Sequence, residues 1–124
     1  MGRYYYGDIE GKFWFAIQSS GAADRFGYIG RYHKKTNSVT YAFTKKHIKK
    51  VEQELKNMES KSLRDLEHVD KFFEHKDFYS DKEALEEFGE DYNKIFSESA
   101  DYHLGKQILT CLLEKGVCIF EGEC

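Results

Sequence analysis

Two carboxylates sit on a glycine-flanked loop near the start of the chain, Gly7-Asp8-Ile9-Glu10-Gly11. Such a pair does acid/base work when spacing and burial split the two pKa values. Asp and Gly are also what a solvated hairpin turn uses. Just beyond, Gln18-Ser19-Ser20-Gly21 leads from a strand towards a helical turn, where backbone N–H groups can hold an anion. Arg3, Lys12 and Arg25 are cations near it in sequence. Capping by Ser20 accounts for the same residues without a ligand. The segment is neither a P-loop nor a dinucleotide fingerprint nor a nucleophile elbow. No nucleophile–base spacing occurs elsewhere, so no catalytic residue is assigned.

Metal chemistry has one candidate pair. Asp65 and His68 share a helix face at i, i+3, as ligands can. The second half of a site is missing, and no metal or cofactor is expected. A third feature is the basic run Lys45-Lys46-His47-Ile48-Lys49-Lys50, which loads a helix start with cations against the macrodipole. Such a locally unfavourable choice can mark a working surface. With Arg31, His33, Lys34 and Lys35 it could follow a phosphate backbone while Tyr and Trp side chains stack on bases. Equally, it can be a solvated helix start balanced by acids elsewhere.

Charge is divided along the chain. Net charge is −3, yet residues 1–50 carry ten Lys and Arg against three acids, +7, and residues 51–124 carry nine against nineteen, −10. Either a basic binding face rides on an acidic body, or the halves neutralise each other within one chain or between two copies. The second reading includes a homo-oligomer. Cys111, Cys118 and Cys124 are odd in number and cluster late in the chain, which predicts free thiols, the first two buried and the last exposed. No apolar run reaches the ~20 residues of a membrane helix, and the opening has no signal-peptide pattern. The expectation is a cytoplasmic protein with no membrane partner.

The elements that must position these residues follow from hydrophobic period. Strands are predicted at Arg3–Tyr6, Lys12–Gln18, Tyr28–His33 and Ser38–Phe43, the last two joined by a turn at Lys34-Lys35-Thr36-Asn37. In the second strand Phe13, Phe15 and Ile17 face the core. Lys12, Trp14, Ala16 and Gln18 face the other way. Gly21–Phe26 reads as a short helical turn. From Thr44 the period changes to 3.6, giving helices capped by Thr44, Ser62 and Ser80 and a last one from about Ser99 to a C-cap at Gly116. Val117–Phe120 reads as a fifth strand returning to the sheet. The fold class is α+β: one domain, residues 1–124, with an antiparallel sheet of four to five strands and three to four helices on one face. Trp14 then lies on the uncovered face, where a ligand or a second subunit would cover it.

The opening, Gly2-Arg3-Tyr4-Tyr5-Tyr6-Gly7-Asp8-Ile9-Glu10-Gly11-Lys12-Phe13-Trp14-Phe15, then Gln18-Ser19-Ser20 and Ala23-Asp24, resembles the start of small uncharacterised proteins of aquatic phages and marine metagenomes. The resemblance covers about the first quarter of the chain. It implies a viral accessory protein acting in a host cytoplasm, and it brings no catalytic residues.

The functional expectation is a non-enzymatic binding protein for an anionic ligand, nucleic acid or nucleotide. Its candidate contacts are Arg3, Lys12, Trp14, Gln18, Arg25, Arg31, Lys45 and Lys46. One alternative is a protein–protein adaptor or inhibitor using the aromatic hairpin face. Another is a small enzyme using Arg3, Asp8, Glu10 and Gln18 on a phosphorylated substrate.

Overall fold

Alternation of apolar and polar residues in the first 44 positions and again after Gly116 builds a sheet, and the 3.6-residue period between them builds three helices. A computed structural model describes residues 3–14, 17–74, 76 and 78–124. The strands are β1 (Tyr4–Gly7), β2 (Gly11–Lys12), β3 (Arg31–His33), β4 (Ser38–Thr44) and β5 (Val117–Glu123). The helices are α1 (Ile48–Phe73), α2 (Asp81–Phe88) and α3 (Tyr92–Lys115). Short 3-10 turns occupy Ala22–Phe26 and Lys45–His47. The sheet order is β2-β1-β5-β4-β3 with every pair antiparallel. The expected α+β class holds, and β5 occupies the centre.

Register fixes the two faces. Tyr5, Val39, Tyr41, Phe43, Cys118 and Phe120 point inward, where Phe13 and Phe26 join Val51, Leu55 and Met58 of α1 and Leu104, Ile108 and Leu112 of α3. Gly105 lets α3 approach closely: a Cβ there would lie 2.4 Å from Phe26 Cζ and 2.9 Å from Leu55 Cδ2. Gly116 ends α3 at φ 78°, as its predicted C-cap role requires. The β3–β4 turn falls on residues 34–37, closed by Asn37 at φ 51°, a region that Asn tolerates well.

A second apolar cluster sits beside the first. Phe96 is its hub, fully buried, with the rings of Trp14, Phe72, Phe73, Tyr79, Phe88 and Tyr92 at 5.0–6.1 Å. Each such pair contributes ~0.5–1.5 kcal/mol beyond area burial. α1 serves both clusters because it kinks at Ser62, where φ and ψ are −138° and 17°. Val51, Leu55 and Met58 enter the first cluster. Val69, Phe72 and Phe73 enter the second. Ser62, with its non-helical φ and ψ, marks the boundary at which a second helix was predicted to start, and the two helical segments run on across it as the kinked α1. Ser99, predicted to start the last helix, is buried inside α3, which begins at Tyr92. Ser80 caps α2 as predicted, in a capping box with Glu83.

The second predicted strand needs the largest correction. β2 ends at Lys12. The chain then turns, with the amides of Ile17 and Gln18 donating to Trp14 O at 3.2 and 2.8 Å. Trp14 is half-buried against Phe73, Tyr79 and Phe96 of its own chain. It does not share a strand face with Gln18, and the chain's own rings cover much of it. Phe15 and Ala16, named in the expected alternation, lie outside the described residues.

Candidate functional site: the open face of the sheet

α1 and α3 pack on the inner face and α2 packs on α3 beside it, so the alternate residues of every strand stand on a face that no element among the described residues covers. β1 offers Tyr4 and Tyr6, 50% and 48% exposed. β5 offers Ile119, Glu121 and Glu123, and β4 offers Ser38, Thr40 and Ala42. β3 adds Arg31 and His33 at one edge, and β2 adds Lys12 at the other. One row crosses the sheet as Tyr6–Glu121–Thr40–Arg31. A neighbouring row runs Glu123–Ser38–His33.

Glu121 organises the centre. Its Oε2 accepts from Tyr6 Oη at 3.1 Å and its Oε1 from Ser38 Oγ at 3.0 Å. Ser38 Oγ is itself bonded to Thr36 Oγ1 at 2.7 Å. His33 Nε2 meets Thr40 Oγ1 at 2.8 Å. No Lys or Arg among the described residues forms an ion pair with Glu121 or Glu123. The Glu121 carboxylate raises the Tyr6 phenol above its ordinary pKa, through the hydrogen bond first and through charge second. A phenol moved further from neutrality is a donor, not a general base. Tyr4 carries Lys12 Nζ over its ring at 5.9 Å from the centroid, so this surface already receives one cation. Two phenol rings beside an uncompensated carboxylate suit cations and N–H donors.

Of the eight expected contacts, several serve the fold. Arg3 donates to Ser20 Oγ at 2.6 Å, to Trp14 O at 3.4 Å and to Gln18 O, clamping the 14–20 turn. Ser20 passes its own proton to Glu123 O at 2.7 Å, so it ties the turn to β5 and does not cap the 3-10 helix. Gln18 is buried. Its Oε1 accepts from the Trp14 amide at 3.0 Å, and its Nε2 donates to Asp101 Oδ1 at 3.0 Å. Arg25 is held by Glu54, Glu98 and Asp101 at 3.0–3.1 Å. Burial would lower its pKa, but the three carboxylates raise it on balance. These groups are engaged in holding the fold, and part of the charge split closes inside the chain.

The remaining cations do not form one track. Arg31, Lys34 and Lys35 lie at and before the β3–β4 turn, whereas Lys45 and Lys46 follow the far end of β4. The seven residues of β4 separate the turn lysines from Lys45 and Lys46 by about 20 Å at ~3.3 Å per residue, and Arg31, opposite Thr40, lies between the two groups. Asp8 and Glu10 behave as turn residues. Asp8 Oδ2 accepts from the Ile119 amide at 2.8 Å and its Oδ1 faces Lys115 Nζ at 3.9 Å. His68 Nε2 bonds Glu87 Oε1 at 2.7 Å and its ring packs on Phe88, while Asp65 lines a separate hollow. Sequence reasoning missed Tyr4, Tyr6 and Glu121. Their signal was the alternation around Tyr5 and Phe120, which became a face only once β5 was placed beside both β1 and β4.

Compared with known proteins, the chain matches no family, no curated protein and no solved structure. No helix among the described residues is long and apolar enough to cross a membrane.

Proposed function

We propose that the protein is a binding module whose open sheet face docks a partner protein through a basic side chain, received between Tyr6 and Glu121. The observation that carries this reading is the uncompensated Glu121 at the centre of an aromatic, uncovered face. Each oxygen already accepts one hydrogen bond and keeps a lone pair, which suits a guanidinium fork. A symmetric face-to-face pair centred on β5 would set Glu121 against its own copy, which favours a different partner. The resemblance of the opening residues to phage accessory proteins supports a host protein in that role.

The test is an NMR titration with short arginine and glutamate homopeptides. The arginine peptide shifts resonances of β1 and β5, the glutamate peptide does not, and Glu121→Gln weakens binding ten- to a hundredfold, the ~1.5–3 kcal/mol of a charge-assisted hydrogen bond. Shifts confined to surfaces away from the sheet face refute the proposal.

A second reading concerns polyanions. Lys45, Lys46, Lys49 and Lys50 make no ion pair among the described residues. Glu54, four residues past Lys50, is engaged by Arg25. Nucleic acid bound at this end of the sheet would show a log–log salt slope near −0.9 per phosphate, flattened when the four lysines become Gln.

A further inference from the structure

Beside β2, sharing only Lys12 with the open sheet face, lies a cleft of about 340 Å³ lined by Lys12, Phe13, Trp14, Ile17 and Tyr79. Its floor is aromatic, because Trp14 and Tyr79 stand within 30° of parallel with ring centroids 6.3 Å apart. Both rings are fixed from behind. Phe73 packs edge-on to Trp14 at 5.4 Å, and Phe96 packs edge-on to Trp14 at 5.2 Å and to Tyr79 at 5.0 Å. A platform braced in this way loses little freedom when a ring settles on it, which is what pre-organised sites achieve. Among the described residues Lys12 is the one cation in the lining and has no carboxylate partner, its Nζ lying 5.9 Å from the Tyr4 ring centroid. The Trp14 indole N–H and the Tyr79 hydroxyl have no hydrogen-bond partner among the described residues, which leaves two further donors on the lining side chains. The volume is at the lower end of small-molecule sites, ~300–1,000 Å³.

We infer that this cleft binds a small planar aromatic anion, with its ring stacked on the Trp14–Tyr79 platform and its phosphate or carboxylate paired with Lys12. A neutral ring gains only the stack. A free phosphate gains only an exposed lysine, which in water holds it weakly. Ring and charge together distinguish this ligand from both. The inference does not rest on the sheet-face reading, since Glu121 and Tyr6 do not line the cleft.

Trp14 is the chain's only tryptophan, so its fluorescence reports on the cleft directly. The probes are adenylate against adenosine, nicotinate against nicotinamide, and inorganic phosphate alone. The expected result is saturable quenching by at least one anionic ring compound, about tenfold tighter than by its neutral counterpart, with no saturable response to phosphate. Lys12→Gln, at an exposed position, should remove that preference while the far-ultraviolet circular dichroism stays unchanged. Tyr79→Leu should weaken charged and neutral rings alike. Phosphate as effective as adenylate would show an ion site only and overturn the inference. Equal affinity for charged and neutral rings, an unchanged Lys12→Gln, or no saturable quenching by any ring compound into the millimolar range would overturn it too.

Discussion

Replacing Arg25 by Met tests how the two charged halves of the chain are joined. The guanidinium bonds Glu54, Glu98 and Asp101 at 3.0–3.1 Å, and its side chain is 30% exposed. Met keeps much of the stem and removes the charge, leaving three carboxylates facing one another. Breaking a buried ion pair costs ~3–5 kcal/mol. Solvent reaches this one, which screens the loss, so about 2–3 kcal/mol is expected. For a chain of 124 residues that lowers Tm by about 10 °C. The deficit also depends on pH. Burial already raises the Asp101 pKa, against the opposing pull of Gln18 and Arg25. Without Arg25 the folded-state pKa of Asp101 climbs further above the unfolded value of ~4. A native state that binds more protons than the unfolded state loses stability as pH rises. The gap between variant and wild type is therefore full at neutral pH and narrows as pH falls towards the unfolded carboxylate pKa. Urea unfolding followed by Trp14 fluorescence, in neutral and mildly acidic buffer, measures it. Asp101→Asn in the Arg25→Met background should return part of the loss. A loss below ~0.5 kcal/mol at neutral pH, or a gap that widens in acid, would refute the reasoning and leave the cluster as a solvated surface group.

Two further expectations follow from the packing. Gly105→Ala drives a methyl into Phe26 and Leu55; overpacking of ~1–3 kcal/mol outweighs the ~1 kcal/mol gain in helix propensity, so a thermal melt should show a net loss, and a gain would mean the ring moves freely. In the native protein a thiol reagent should modify Cys124 quickly and spare Cys111 and Cys118, which are buried, with the Cys118 pKa raised by burial and by Cys111. Fast labelling of all three before denaturation would contradict that packing.

The strand and helix order was readable because period two gives way to 3.6 at Thr44, and Val39, Tyr41 and Phe43 keep their alternation through β4. What failed depended on distant partners. Phe13, Phe15 and Ile17 alternate as if on a strand, but Arg3 holds the carbonyls of Trp14 and Gln18 and turns the chain after Lys12. A window of sequence cannot see that clamp. Nor can it see Asp101, 83 residues away, whose side chain meets Gln18 and makes that residue structural. The partners of Arg25 were out of view for the same reason, because its carboxylates come from α1 and α3. Tyr6 looked like an ordinary strand residue, and Glu121 fell just past the predicted strand Val117–Phe120, until register brought them together.

The central position of β5 has a consequence for the order of assembly. β1 and β2 form one hairpin, β3 and β4 another, and neither pairs with the other. Asp8 bonds Ile119, 111 positions further along the chain. During synthesis the inner edges of β1 and β4 therefore emerge long before their shared partner, and three helices form while both edges stay unpaired. Such long-range closure is slow, and it leaves strand edges available to other chains. The sheet therefore cannot close until β5, the last of the five strands in chain order and the shared partner of β1 and β4, has been made.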